Sequence, residues 1–130
     1  MNAEPTALIT GGGKRIGRAI VDDLATHGWA VAVHYCTSRH EAEDAAAAVR
    51  HRGGKAVALA HDLAQPRDAA ALVAAAAEAL GPLTLLVNCA AIFEKDTIES
   101  LDPALWDRQF AINLASPVFL AEAFARQGPG

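Results

Sequence analysis

Between Thr10 and Gly17 the chain reads TGGGKRIG, three glycines, two cations and a fourth glycine, directly after the apolar run PTALI. Small residues at such a point let the backbone come close to a ligand. The start of the following helix then offers unbonded N–H groups and the positive end of its dipole to an anion such as a pyrophosphate. Gly11 and Gly17 belong to that bare backbone, and Lys14 and Arg15 add charge. A Walker-type phosphate loop requires its lysine to be followed by serine or threonine. Here Arg15 follows Lys14, which speaks against that ATP chemistry. A glycine-rich stretch also serves as a plain tight turn, so the choice rests on other residues.

The next of these is VHYCTSR, which closes the second apolar run. In dinucleotide sites an acidic side chain at this place often holds the ribose diol. No Asp or Glu occurs from Val33 to His40. Thr37 and Ser38 instead offer hydroxyl donors, and Arg15, with Lys14 or Arg39, offers positive charge. A phosphorylated ribose suits that set better than a bare diol, which favours NADP over NAD; Lys14 and Arg39 taken singly also read as solvated surface cations. Asp62-Leu63 closes the third apolar run. Its carboxylate is placed to accept a hydrogen from an adenine amino group while Leu63 packs near the ring, or alternatively to cap a helix near Pro66. Asn88-Cys89-Ala90-Ala91 closes the fourth run, where small residues would admit a nicotinamide ribose; Asn88 could equally brace the turn. Cys89 reads as a small buried residue and not as a nucleophile.

These positions need elements to hold them. Apolar runs at Thr6–Thr10, Trp29–Tyr35, Lys55–Ala60 and Leu83–Asn88 read as buried strands. Between them, Gly17–His27 places Ile20, Val21, Leu24 and Ala25 on one helical face, with Gly28 as its stop. Ser38 with Glu41 predicts a capping box for a second helix, which ends at Gly53-Gly54. Pro66 opens an alanine-rich third helix that runs to Leu80 and stops at Gly81-Pro82. Asp102-Pro103 caps a fourth helix reaching about Arg126, and the final Gly-Pro-Gly reads as a turn or frayed end. The order is β-α-β-α-β-α-β-α. Apolar strands separated by helices predict right-handed crossovers and a parallel sheet covered on both faces.

Composition narrows the rest. At 130 residues and 52% hydrophobic, the chain has room for one globular domain. A net charge of -4 gives no ground for nucleic-acid binding. Cys36 and Cys89 lack metal spacing, so the expectation is free thiols, no metal and a reducing compartment. The first residues lack a signal-peptide pattern, and no run is long enough for a membrane span, so a cytoplasmic location is expected.

Four motifs in this order resemble the short-chain dehydrogenase/reductase family: Thr10–Gly17, Asp62-Leu63, Asn88–Ala91, and Asn113 within WDRQFAINLASPVFL. The likeness covers essentially the whole chain but only the N-terminal half of a usual member. It implies a Rossmann-type doubly wound parallel sheet, a three-layer α/β/α fold, incomplete here and truncated before the catalytic Tyr-Lys segment. GGGKRIG together with HYCTS is similar to the pteridine reductase-like branch, in which the basic loop and the serine serve the 2′-phosphate. The implied cofactor set is Gly11, Lys14, Arg15, Ile16, Gly17, Thr37, Ser38, Asp62, Leu63, Asn88, Ala90 and Ala91, with Asn113 as the catalytic-site asparagine. Arg15 replaces a usual glycine, Cys89 a usual asparagine, and Ala91 a usual glycine. The family transfers hydride between a nicotinamide and a small carbonyl, alcohol or pterin-type substrate, using a tyrosine with a lysine four residues on. Tyr35, the only tyrosine, has no such lysine, and Ser116 lies well before the family's serine. The resemblance also implies a homo-oligomer for a complete protein. Beside an oxidoreductase, a non-catalytic NADP(H)-binding module and a remnant that mainly associates with other chains remain open.

Overall fold

The structure is a computed structural model that describes residues 4–127. Strands β1 (Thr6–Ile9), β2 (Ala30–Tyr35), β3 (Ala56–Ala60) and β4 (Leu85–Val87) pair in parallel, in the order β3-β2-β1-β4. The register sets Thr6 against Ala30, Val31 against Ala56 and Ala7 against Leu85. Helices α1 (Arg15–Thr26), α2 (Arg39–His51), α3 (Ala69–Leu80), α4 (Pro103–Phe110) and α5 (Ser116–Arg126) flank them. The result is the doubly wound, three-layer α/β/α arrangement that the alternating pattern predicts.

The two-residue period of a strand builds both layers. Ala7, Ile9, Val31 and Val33 meet Val21 of α1 and Ala42, Ala45, Ala46 and Val49 of α2. Leu8 and Ala32 belong to the opposite cluster, with Leu72, Val73 and Ala76 of α3 and Leu120 of α5. Complete burial of a valine or leucine side chain contributes roughly 1.5–3 kcal/mol. The alanines of α2 have a steric reason. Their buried positions 42, 45, 46 and 49 form one helical stripe, and small side chains let that stripe lie close to the sheet. The same closeness leaves no room at Gly13, where an added Cβ would come within 2.8 Å of the Ala42 nitrogen.

Several details differ from expectation, each for a local reason. Helix α1 begins at Arg15, two residues early. The β4 ladder is shorter than Leu83–Asn88, because Thr84 already donates its N–H to the Thr6 carbonyl and accepts the Thr6 N–H on its hydroxyl. The capping box at Ser38 does not form: Ser38 occupies the N-cap position at ψ 57°, outside the extended conformation that aims a cap oxygen at the first turn, and its side chain makes no cap bond. Pro66 opens a separate 3₁₀ turn, Pro66–Asp68, with Gln65 at the N-cap position and no side-chain cap bond. Asp102 caps α4 as predicted, accepting the Ala104 N–H at 3.0 Å.

The predicted fourth helix is continuous to Arg126 but contains a π-helical stretch, Ala111–Ala115, between α4 and α5. Pro117 supplies the cause. It has no N–H for the Asn113 carbonyl four residues earlier, and its ring crowds that carbonyl. The Ser116 N–H accordingly reaches back five residues to the Ala111 carbonyl. The predicted turn at Gly128-Pro129-Gly130 lies outside the described residues. Among those residues no helix is long and apolar enough to cross a membrane.

Candidate functional site

The ends of all four strands open on one cleft of about 580 Å³, at the place where the strand order reverses. Its walls are the glycine-rich loop, residues 34–38 leaving β2, Asp62 and Leu63 after β3, and residues 89–92 after β4. Arg108 of α4 and Ile112 close the far side.

The glycines first allow the walls to touch. Gly11 has φ 62°, and a Cβ on it would come within 3.0 Å of the Ala90 Cα. A Cβ on Gly17 would overlap the Gly11 carbonyl oxygen. The hydroxyl of Thr10 accepts the N–H groups of both Cys89 and Ala90 at 3.0 Å, which ends the β4 ladder and ties its exit to β1. Arg15 then takes the left-handed conformation, φ 48°, where the resembled family carries glycine. A non-glycine residue there costs about 1–2 kcal/mol.

Charge concentrates at the β2 end. Lys14, Arg15, Thr37 and Ser38 all line the cleft. Among the described residues neither Lys14 nor Arg15 has an ion-pair partner, whereas Arg18 pairs with Asp22 at 3.2 Å and Lys55 with Glu4 at 3.0 Å. Ser38, released from capping, keeps its hydroxyl free. Arg39 is exposed and lies outside the cleft walls.

Toward β3, Asp62 accepts the Ala64 N–H at 2.9 Å in a local turn, so it does not cap the turn at Pro66. Leu63 is buried, and its carbonyl accepts a hydrogen bond from the fully buried Ser116 hydroxyl at 2.6 Å. Ser116 is thereby a brace for this wall. After β4, Cys89, Ala90 and Ala91 line the cleft, while Asn88 is exposed and turned out of it. Asn113 sits in the π-helical stretch and spends its side chain on one residue: its Oδ1 accepts the Ile92 N–H at 2.9 Å, and its Nδ2 donates to the Ile92 carbonyl at 2.8 Å. On its other side a second hollow, about 450 Å³, is lined by Ile98, Leu101, Trp106, Phe110 and Leu114.

Three residues escaped the sequence reading. His34 lines the cleft from inside the sheet, and burial pushes its imidazole pKa below the ordinary histidine value. Its signal was a lone polar residue in the apolar strand AVAVHY. Thr10 was visible only as the first letter of the glycine motif. Arg108 reaches the cleft because it lies one helical turn before Ile112, a spacing that shares a face.

Known proteins share this architecture. The chain is 35% identical over 120 residues to an uncharacterized oxidoreductase of Methylorubrum extorquens, covering 92% of this chain and 48% of that protein. It is 36% identical over 101 residues to the short-chain dehydrogenase/reductase homolog YusS of Bacillus subtilis, covering 78% and 93% respectively. A crystal structure of the FolM alternative dihydrofolate reductase 1 from Brucella canis, complexed with NADP, superposes with a TM-score of 0.91 at 45% identity, over 96% of this chain and 50% of that one. The chain thus spans about half the length of the first and third of these relatives and nearly all of the second. The short chain dehydrogenase family model matches residues 5–128, and by this match, on a sheet and cleft of the expected form, the chain belongs to that family.

Proposed function

We propose that residues 1–130 are the cofactor-binding part of an NADPH-dependent short-chain oxidoreductase acting on a small carbonyl or pterin-type substrate. The observation that carries it is the β2 end of the cleft, lined by Lys14 and Arg15, which have no ion-pair partner among the described residues, and by the hydroxyl-bearing Thr37 and Ser38, with no carboxylate among the four. Those four residues fit a 2′-phosphate. Gly11, Ile16 and Gly17 present backbone to the pyrophosphate. Asp62 and Leu63 take the adenine, and Ala90 and Ala91 take the nicotinamide ribose, while Asn88 stands outside the cleft lining. Bound there, the cofactor supplies hydride chemistry. Asn113 supports the proton-transfer apparatus of a longer, homo-oligomeric, cytoplasmic protein that contributes the Tyr-Lys pair. The FolM likeness supports the pterin-type choice.

Fluorescence titration with NADPH and NADH tests this. NADPH is expected to bind more tightly; equal affinities would remove the phosphate assignment. A second reading, a non-catalytic NADP(H)-binding module, uses the same cleft. Turnover assays on the complete natural product separate the two.

A further inference from the structure

His34 is the polar exception in β2, 2% exposed and in contact with two different walls of the cleft. Its Nδ1 lies 3.1 Å from the Gly11 nitrogen, and its Nε2 lies 2.9 Å from the His61 carbonyl oxygen. A backbone N–H can only donate and a carbonyl can only accept, so the ring is neutral and carries its hydrogen on Nε2. The backbone repeats the link: the His34 carbonyl accepts the Gly12 N–H at 3.2 Å, and the His61 N–H donates to Tyr35 at 3.0 Å. His61 leads directly into Asp62 and Leu63. One imidazole therefore joins the glycine-rich loop at the phosphate end to the segment at the adenine end. It also uses up the first loop amide, leaving anion contact to the amides that follow.

We propose that His34 is a positioning residue for the cofactor cleft, holding the glycine-rich loop at a fixed distance from Asp62-Leu63 and so setting affinity for both dinucleotides without choosing between them. This rests on the cofactor assignment above. Arg15 and Ser38 discriminate by charge and hydrogen bonding; His34 acts on the spacing that NADPH and NADH share. Protonation would place a second N–H against the Gly11 N–H, donor facing donor, and release the loop. Burial opposes it. The charged and titratable groups that line the same cleft are Lys14 and Arg15 from the loop, Arg108 from α4, Tyr35 and Cys36 beside His34, Cys89 after β4 and Asp62 from the β3 exit, and the His61 ring lies edge-on to His34. Neither histidine ring belongs to an ion pair among the described residues.

The test compares His34→Asn, His34→Gln and His34→Phe with the unmodified chain. Asparagine can set an acceptor near the Nδ1 position; glutamine reaches toward His61, and phenylalanine keeps only bulk. Phenylalanine and glutamine should weaken NADPH and NADH alike, by roughly tenfold, with their ratio unchanged, and asparagine should restore much of the loss. NADH affinity of the unmodified chain should fall on acidification, and the asparagine variant should lose that dependence. Unchanged affinity in both the glutamine and phenylalanine variants, or a changed NADPH/NADH ratio, would overturn the proposal. If the phenylalanine variant does not fold, the asparagine–glutamine contrast decides. A cofactor-free measurement separates this from the cofactor assignment: ring ¹⁵N spectra and Gly11 amide exchange should show the Nε2–H tautomer and a protected amide. A ring protonated on Nδ1, or an unprotected Gly11, would refute His34 even if both dinucleotides bind. If neither dinucleotide binds, the cofactor assignment fails, and the affinity role of His34 with it.

Discussion

The two ends of the cleft are built in opposite ways. At the β1–β2 end, Thr10, His34 and the glycine contacts fix each wall to another, and the backbone has almost no free choice. Beyond the Thr10 clasp, residues 91–101 form no regular element, and the side-chain link from them to another element is the Asn113–Ile92 pair. Phe93 is 92% exposed there and Ile98 86%. Nearby, Trp106, Phe110, Leu114 and Val118 recur every four residues along one exposed edge of the α4–α5 helix. The contrast shows what each end must do for itself. Under the proposed function, gripping a constant anion needs a rigid frame that is self-contained, whereas a wall facing a variable substrate can leave its apolar side chains without cover.

Gly17→Ala should break the rigid end outright. The new methyl meets the Gly11 carbonyl, and the loss should be about 3 kcal/mol or more in a denaturant titration. A small loss would mean that the loop is softer than its contacts imply. Arg15→Ala comes next: NADPH affinity should drop by roughly tenfold to a hundredfold, as for a charge-assisted hydrogen bond, while NADH affinity hardly moves. Equal losses would place Arg15 on the shared pyrophosphate instead.

A smaller effect comes from pH. In the unfolded chain His34 titrates near the ordinary value of 6.5, and burial lowers that value in the folded protein. Its contribution to stability is therefore complete above pH 6.5. It declines below that pH as the unfolded chain takes up the proton first, until the folded ring titrates as well. Thermal melts across this range should show the slope in the unmodified chain and a flatter one in His34→Asn. The least effect is expected on the exposed edge, where Val118→Lys should change stability by no more than about 0.5 kcal/mol and leave NADPH affinity intact, read by the same melts and titrations. A large loss would show that this edge is already covered in solution.

Much of the frame was legible because it follows from period and punctuation. Apolar strands, alanine stripes and the cap at Asp102 each act within a few residues, so the sheet and its helices could be read directly. The gathering of Lys14, Arg15, Thr37 and Ser38 on one cleft was legible for a related reason: charge and the lack of a carboxylate are matters of composition. What stayed hidden depends on contacts between distant segments. The clasp of Thr10 on Cys89 and Ala90 spans about 80 residues, and that of His34 on His61 spans 27. The misread capping box at Ser38 fails for a single backbone angle. The π-helical stretch was available in principle, since Pro117 stands four residues after Asn113, but a steady hydrophobic pattern masked it.

The left-handed backbone at Arg15 has an evolutionary corollary. Glycine would relax that residue, so under the proposed phosphate role of Arg15 heat tolerance and the taste for a phosphorylated cofactor pull against each other at one codon. On that reading, lineages selected only for robustness should drift toward indifference between the two dinucleotides, and those selected for discrimination should keep the arginine despite the strain.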